Sequence, residues 1–191
     1  MPCDRVARAS AEVALDLENY LKDDAKMRSL MDYLRKTHSD ANHLMRKVRF
    51  RGSRVEMSGY AFENLAGFVN EIKKWTAREN QLRVLGVMQS LGATIIKTVM
   101  DAQGGVAFQC RIKNIQMSVH VDINGHLTIA TDNGTFEDGK KLIEGSLRAM
   151  QSAGVEISGV TAVETHKEHA VMERNRITVN AIPGEDGYHS H

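Results

Sequence analysis

Cysteine is nearly missing from this chain. Cys3 and Cys110 are the two in 191 residues, too few for the disulfide framework that staples small extracellular domains. Proline is as scarce, and Pro2 and Pro183 stand near the two ends, so everything between them can be continuous regular structure. No apolar run approaches the roughly 18 residues of a membrane-spanning helix, and the opening MPCDRVARAS has no apolar signal-peptide core. A reducing cytoplasm is the expected compartment, with no membrane partner. Neither charge sign dominates, since 25 Lys and Arg stand against 24 Asp and Glu, a formal net charge of +1. That balance argues against holding a polyanion by overall field, and leaves a local basic patch as the alternative.

Chemical motifs are missing too. The chain has no Walker phosphate loop, no GxSxG elbow, no CxxC pair, no HExxH helix and no dinucleotide fingerprint. These absences lean against an enzyme, and no cofactor is expected.

What is present shows best in residues 119–150, VHVDINGHLTIATDNGTFEDGKKLIEGSLRAM. Val119, Val121 and Ile123 alternate with His120 and Asp122 at the two-residue period of a half-buried strand. Leu127 and Ile129 alternate with Thr128 and Ala130 after the turn. A two-residue turn would put Leu127 and Ile129 on the face away from Val119 and Val121. A three-residue loop of Ile123, Asn124 and a left-handed Gly125 pairs Val121 with Leu127 and Val119 with Ile129. One slipped residue flips a whole face, so burial selects the longer loop. Thr135 is then a helix N-cap, with Glu137 and Asp138 in the first turn. Leu142, Ile143, Leu147 and Met150 recur at helical spacing, and Gly154 is the stop.

An earlier stretch echoes this unit. Residues 54–69, RVEMSGYAFENLAGFV, align without a gap on residues 128–143, TIATDNGTFEDGKKLI. Val55 falls on Ile129, Phe62 on Phe136, Glu63 on Glu137 and Phe68 on Leu142. The expected fold class is therefore α+β: antiparallel sheets from two ββα(ββ) repeats, with an added N-terminal helical arm. The competing reading is coincidence between two ordinary amphipathic ββα stretches. The expected divisions are an arm at 1–44, units at 45–113 and 114–182, and a frayed tail at 183–191.

The arm carries a helical stripe of Val13, Leu17, Tyr20 and Leu21, continued by Met27, Leu30, Met31 and Leu34. Asp23 and Asp24 interrupt it, giving one bent helix or two short ones. Residues 36–43 read as a loop holding His38, Asp40 and His43, whose spacing does not align the histidines on a helix face. The helix from Phe62 runs through Ile72, Trp75, Leu82, Leu85 and Met88, with a loop or kink left open near residues 76–80. Residues 93–100 and 106–112 form a second hairpin, in which Cys110 is an inert buried thiol. Residues 155–163 and 176–182 are closing strands.

Three clusters carry candidate chemistry. Lys47, Arg49 and Arg51 share one face of a strand while Val48 and Phe50 share the other, and Arg54 follows. This is the dense basic cluster of the chain, and helices followed by a basic hairpin suggest a winged-helix layout in which a hairpin tracks phosphates. The stretch before Val48 lacks a recognition helix of about three turns. The alternative is a solvated sheet face toward an acidic partner. His120, Asp122 and His126 fall on one face of their hairpin, a set that can bind a divalent metal or simply be a polar face with one cross-strand charge pair. His166 and His169, flanked by Glu164 and Glu168, chelate if their segment is helical, with no third ligand in sight.

From about residue 80 to 182 the order of features resembles a small, uncharacterised family of cyanobacteria, plastids and other bacteria that accompanies MoxR-type AAA+ ATPases. The features are Leu91-Gly92 closing a helix, Asn124-Gly125 at a turn, a strand reaching Asp132, a helix, and a last strand of the ITVNA type. The resemblance implies an accessory or adaptor protein with an AAA+ ATPase as partner, and no catalytic residue. The leading expectation is thus a non-enzymatic cytoplasmic protein that works by self-association or by adapting a larger partner, through the N-terminal stripe and outer sheet edges. The alternatives are an anion or nucleic-acid binder using Lys47, Arg49, Arg51 and Arg54, and a metal-binding protein.

Overall fold

The computed structural model describes residues 6–60 and 64–155, and the backbone alone of residues 158–167 and 174–182. The chain is an α+β protein with antiparallel sheets, and it divides into two compact units between Glu79 and Asn80.

The first unit begins with a strand, β1 (Val6–Glu12), which the helical-arm reading of residues 1–44 does not include. In VARASAE the inward side chains are Ala7, Ala9 and Ala11, which pack against the core, while Arg8, Ser10 and Glu12 face out. Three helices follow: α1 (Leu17–Tyr20), α2 (Asp24–Arg35) and α3 (Ala41–Met45). Asp16 caps α1 and Asp23 caps α2, its side chain accepting from the Ala25 N–H at 2.9 Å, so the stripe becomes short helices and not one bent one. The hairpin β2 (Val48–Arg51) and β3 (Arg54–Tyr60) completes a sheet of order β1-β3-β2. Its turn is Gly52-Ser53, with Gly52 at φ 57, and the Glu18 carboxylate accepts the Gly52 N–H at 2.7 Å, fixing the hairpin tip to α1. Val13, Leu17, Leu21, Leu30 and Leu34 are buried in this unit's own core with Val55, Phe68 and Ile72. Most of the N-terminal stripe is consequently interior, with Tyr20, Met27 and Met31 partly buried at its margin.

The long helix α4 (Leu65–Ser90) is unbroken through residues 76–80. Thr76 returns its hydroxyl to the Ile72 carbonyl at 2.8 Å, which lets a polar side chain sit buried in a helix. The division between units falls within α4, so the boundaries expected at 44 and 113 do not mark compact units.

The second unit is a six-stranded antiparallel sheet of order β4-β5-β6-β7-β9-β8. Its strands are β4 (Thr94–Met100), β5 (Val106–Ile112), β6 (Ile115–Val121), β7 (Leu127–Thr131), β8 (Ser158–Lys167) and β9 (Arg174–Ile182). Helix α5 (Phe136–Ser152) follows β7, capped by Thr135, whose hydroxyl accepts the Asp138 N–H at 3.2 Å. Ile143, Leu147 and Met150 of α5 and Val84, Val87 and Met88 of α4 share a core with Phe108, Val119, Val121, Leu127 and Ile129. The β6–β7 register is the one that burial demanded: Val121 opposite Leu127, Val119 opposite Ile129, Gly125 at φ 82. Asp122 and His126 close the three-residue loop through the Asp122 N–H to the His126 carbonyl at 3.0 Å.

The order strand, strand, helix, strand, strand recurs, yet the two runs are packed differently. The β2–β3 pair joins β1 in one sheet, whereas β4 and β5 join β6 in the other. The two runs therefore do not form equivalent units. Among the described residues no helix is long and apolar enough to cross a membrane.

Candidate functional site

The outward face of the first unit's sheet is built by strict alternation. Val55 and Met57 point into the core, so Arg54, Glu56, Ser58 and Tyr60 point out along the central strand. Register then sets their neighbours. Arg49 lies opposite Glu56 and Arg51 opposite Arg54 on one side; Ser10 lies opposite Glu56 and Arg8 opposite Ser58 on the other. Lys47 leads into β2 at the same rim.

The result is a shallow concavity of about 530 Å³ lined by Arg8, Lys47, Arg49, Arg51, Arg54 and Glu56. Five cations thus gather around Glu56, with Glu12 of β1 a second carboxylate on the face, opposite Arg54, in a chain whose formal net charge is only +1. Glu56 takes the Arg51 Nε and the Arg54 Nε, each at 3.4 Å, and its side chain is 31% exposed. Both guanidiniums are more than half exposed, so each pair is worth about 0–1 kcal/mol and is easily exchanged for another anion. Among the described residues no carboxylate pairs with Arg8 or Arg49. Arg51 directly faces Arg54, and the shared Glu56 carboxylate offsets the like-charge pair.

All four sequence-predicted cations, Lys47, Arg49, Arg51 and Arg54, come together on this face. Arg8 was missed because β1 was missed. The signal was there in VARASAE, whose alternation is easily overlooked when its inward residues are alanines. Helix α3 has five residues, too short for the recognition helix of a winged-helix layout.

The histidine clusters are placed differently. His120 Nε2 lies 3.1 Å from Asp101 Oδ2, and His126 Nδ1 lies 3.0 Å from Asp122 Oδ2. The His120, Asp122 and His126 set is thereby split into two separate His–Asp pairs. Asp101 also accepts the Gly105 N–H at 2.8 Å and the Gln103 N–H at 2.9 Å. The His120 bond first, and these backbone donors with it, hold the Asp101 carboxyl below the usual carboxylate range. Asp122 likewise accepts the Asn124 and His126 N–H groups, at 2.9 and 2.8 Å, so both aspartates organise turns. His43 lies in α3, and His38 stacks edge-on against Phe68 with ring centroids 5.2 Å apart. His166 lies on strand β8, in register with Asn175, and not in a helix. His169 is outside the described residues. Among the described residues no group of three or more His, Cys, Asp or Glu side chains could hold a metal ion. Cys110 is buried in β5, and burial pushes its thiol up, away from the reactive thiolate.

No family model, no curated protein and no solved structure matches this chain. The resemblance over residues 80–182 therefore rests on its short motifs alone.

Proposed function

We propose that the protein binds a polyanion, through the phosphate or sulfate groups it displays, on the outward face of the β1-β3-β2 sheet. The observation that carries this reading is the grouping of Arg8, Lys47, Arg49, Arg51 and Arg54 around Glu56, five cations against the two carboxylates of Glu56 and Glu12 on this face. Guanidiniums offer forked donors that match phosphate oxygens, and four of the five cations are arginines. The face needs no catalytic group and no metal to do this work.

The test is salt-dependent retention on heparin. Each contact released by salt adds roughly −0.7 to −0.9 to the slope of log affinity against log salt. Wild-type protein should elute late and with a marked slope. Changing Arg49 and Arg51 together to glutamate should abolish retention, while Arg111→Glu on β5, an exposed cation of the second unit, should leave it unchanged. Wild-type protein that passes straight through heparin at low salt would sink the reading.

A second reading, self-association, is favoured by β4. This strand ends the order of its sheet and carries Ile96 and Met100 at 52% and 66% exposure, with Val99 also exposed. An unpaired edge with apolar side chains is a template for another strand, and the occupant that fits here is a second copy of the chain.

A further inference from the structure

We infer that the polyanion is single-stranded nucleic acid, read with its bases against the β1-β3-β2 sheet; this deepens the polyanion reading and rests on it. Three observations separate a single strand from a plain polyanion or a duplex.

The first is Glu56. A carboxylate at the centre of a site for sulfate or phosphate alone repels its ligand. It is well placed for a ligand that also carries hydrogen-bond donors, and the amino groups on cytosine, adenine and guanine are such donors. Ser10, opposite Glu56, and Ser58, two residues along the same strand, add hydroxyls that both donate and accept. The middle of the face is thus polar, with the Glu56 carboxylate beside Arg54 on the central strand, while further cations reach in from both sides: Arg8 from β1, and Lys47, Arg49 and Arg51 from β2 and its approach.

The second is Tyr60. It continues the outward row Arg54, Glu56, Ser58, and its side chain is 49% exposed. Val6 is its cross-strand partner, so Arg8, opposite Ser58, is its diagonal neighbour on the same face. An aromatic ring next to an arginine on an exposed sheet supplies what an unstacked base packs against. Neither heparin nor polyphosphate has a flat apolar face to use it.

The third is shape. The face spans two interstrand spacings, about 10 Å, and is concave. The helix preceding the hairpin, α3, has five residues, too few to enter a major groove. A duplex keeps its base faces stacked against one another, whereas a single strand can lay its bases on the sheet and its phosphates on the arginines.

The test uses the full-length protein and fluorescence anisotropy with four probes at low salt: labelled oligo(dC), oligo(dT), a hairpin duplex of the same length, and inorganic polyphosphate as competitor. The expected result is tighter binding of oligo(dC) than of oligo(dT), and of either single strand than of the duplex. Tyr60→Ala should weaken both single strands at least about five-fold, leave polyphosphate competition unchanged, and be rescued by Tyr60→Phe. Glu56→Ala should erase the oligo(dC) preference while strengthening polyphosphate. If the duplex binds as tightly as the single strands, or Tyr60→Ala weakens polyphosphate equally, the single-strand assignment falls and the polyanion reading stands. If no probe binds in a salt-dependent way, both fall.

Discussion

Arg49 faces Glu56 across the β2–β3 ladder, while the Glu56 carboxylate is held by Arg51 and Arg54, both at 3.4 Å. On the polyanion reading proposed above, Glu56 is a built-in competitor that occupies two guanidiniums until the ligand arrives. Glu56→Gln should raise affinity for inorganic polyphosphate by about two- to five-fold, the size expected from removing one exposed charge near the ligand. Thermal stability should change by less than about 2 kcal/mol, since both ion pairs have a largely exposed arginine. Titration with polyphosphate and a melting curve check the two parts. Weaker binding in this variant would mean that Glu56 serves to aim the arginines and not to oppose the ligand.

The Asp101–His120 pair gives the second unit a pH signature. The Asp101 carboxyl is held low by the His120 bond and by the Gly105 and Gln103 N–H groups. A depressed carboxyl contributes stability that is fully present above its unfolded value, near 4, and is lost as pH falls through the folded one. Asp101→Asn keeps the shape and removes the charge. The variant should melt below wild type at neutral pH, and the difference should shrink once the pH drops below the ordinary carboxylate range. Gly105 is part of this turn, because an added Cβ would come within 3.0 Å of His120 Nε2 and press on the Asp101 carboxylate. A constant gap between the two melting curves from pH 7 to pH 3 would contradict the linkage.

Parts of this architecture can be read from the amino-acid order and parts cannot, for physical reasons. The β6–β7 register is legible because Val119, Val121, Leu127 and Ile129 are bulky and only one loop length buries them together. Clustering of Lys47, Arg49 and Arg51 is legible because alternation along a strand is a local property. β1 escapes notice because Ala7, Ala9 and Ala11 bury little and favour strands weakly, and with it Arg8 is lost from the site. The partner of β4–β5 is illegible too, since nothing local says whether that hairpin pairs with the strands before it or with β6. Thr76 and Asn80 look like a break in a helix until Thr76 is seen bonding back to Ile72.

Gln81 sits buried on α4 and donates through Nε2 to the Gly104 carbonyl at 2.9 Å and, more weakly, to the Val121 carbonyl at 3.4 Å. It ties the helix to the β4–β5 turn and to the end of β6. Gln81→Leu keeps the helix and most of the volume, yet leaves both carbonyls without this donor. The cost should be about 1–3 kcal/mol, measured by urea unfolding of the second unit's transition. Gln81→Glu should be worse, because an ionised carboxylate would then face two carbonyl oxygens. A neutral effect of Gln81→Leu would show that water replaces the amide at little expense.

Self-association through β4 is tested at Val99. Two identical strands meeting antiparallel about a twofold axis close on themselves and leave no further edge at the join. Centred on Thr98, such a pair sets Lys97 of one copy opposite Val99 of the other, which keeps the two lysines from facing directly. In that register Met100 of one copy meets Ile96 of the other, so exposed apolar side chains flank the join on both sides. Light scattering over a concentration series should show the mass rising toward a dimer. Val99→Lys places a like charge opposite Lys97 twice over and should weaken dimerisation by at least about tenfold, or 1.4 kcal/mol, with an unchanged melting curve at low concentration because Val99 is already exposed. A wild-type chain that stays monomeric at every concentration would leave β4 as a protected edge, with Lys97 and the irregularity at Ile96 as its guards.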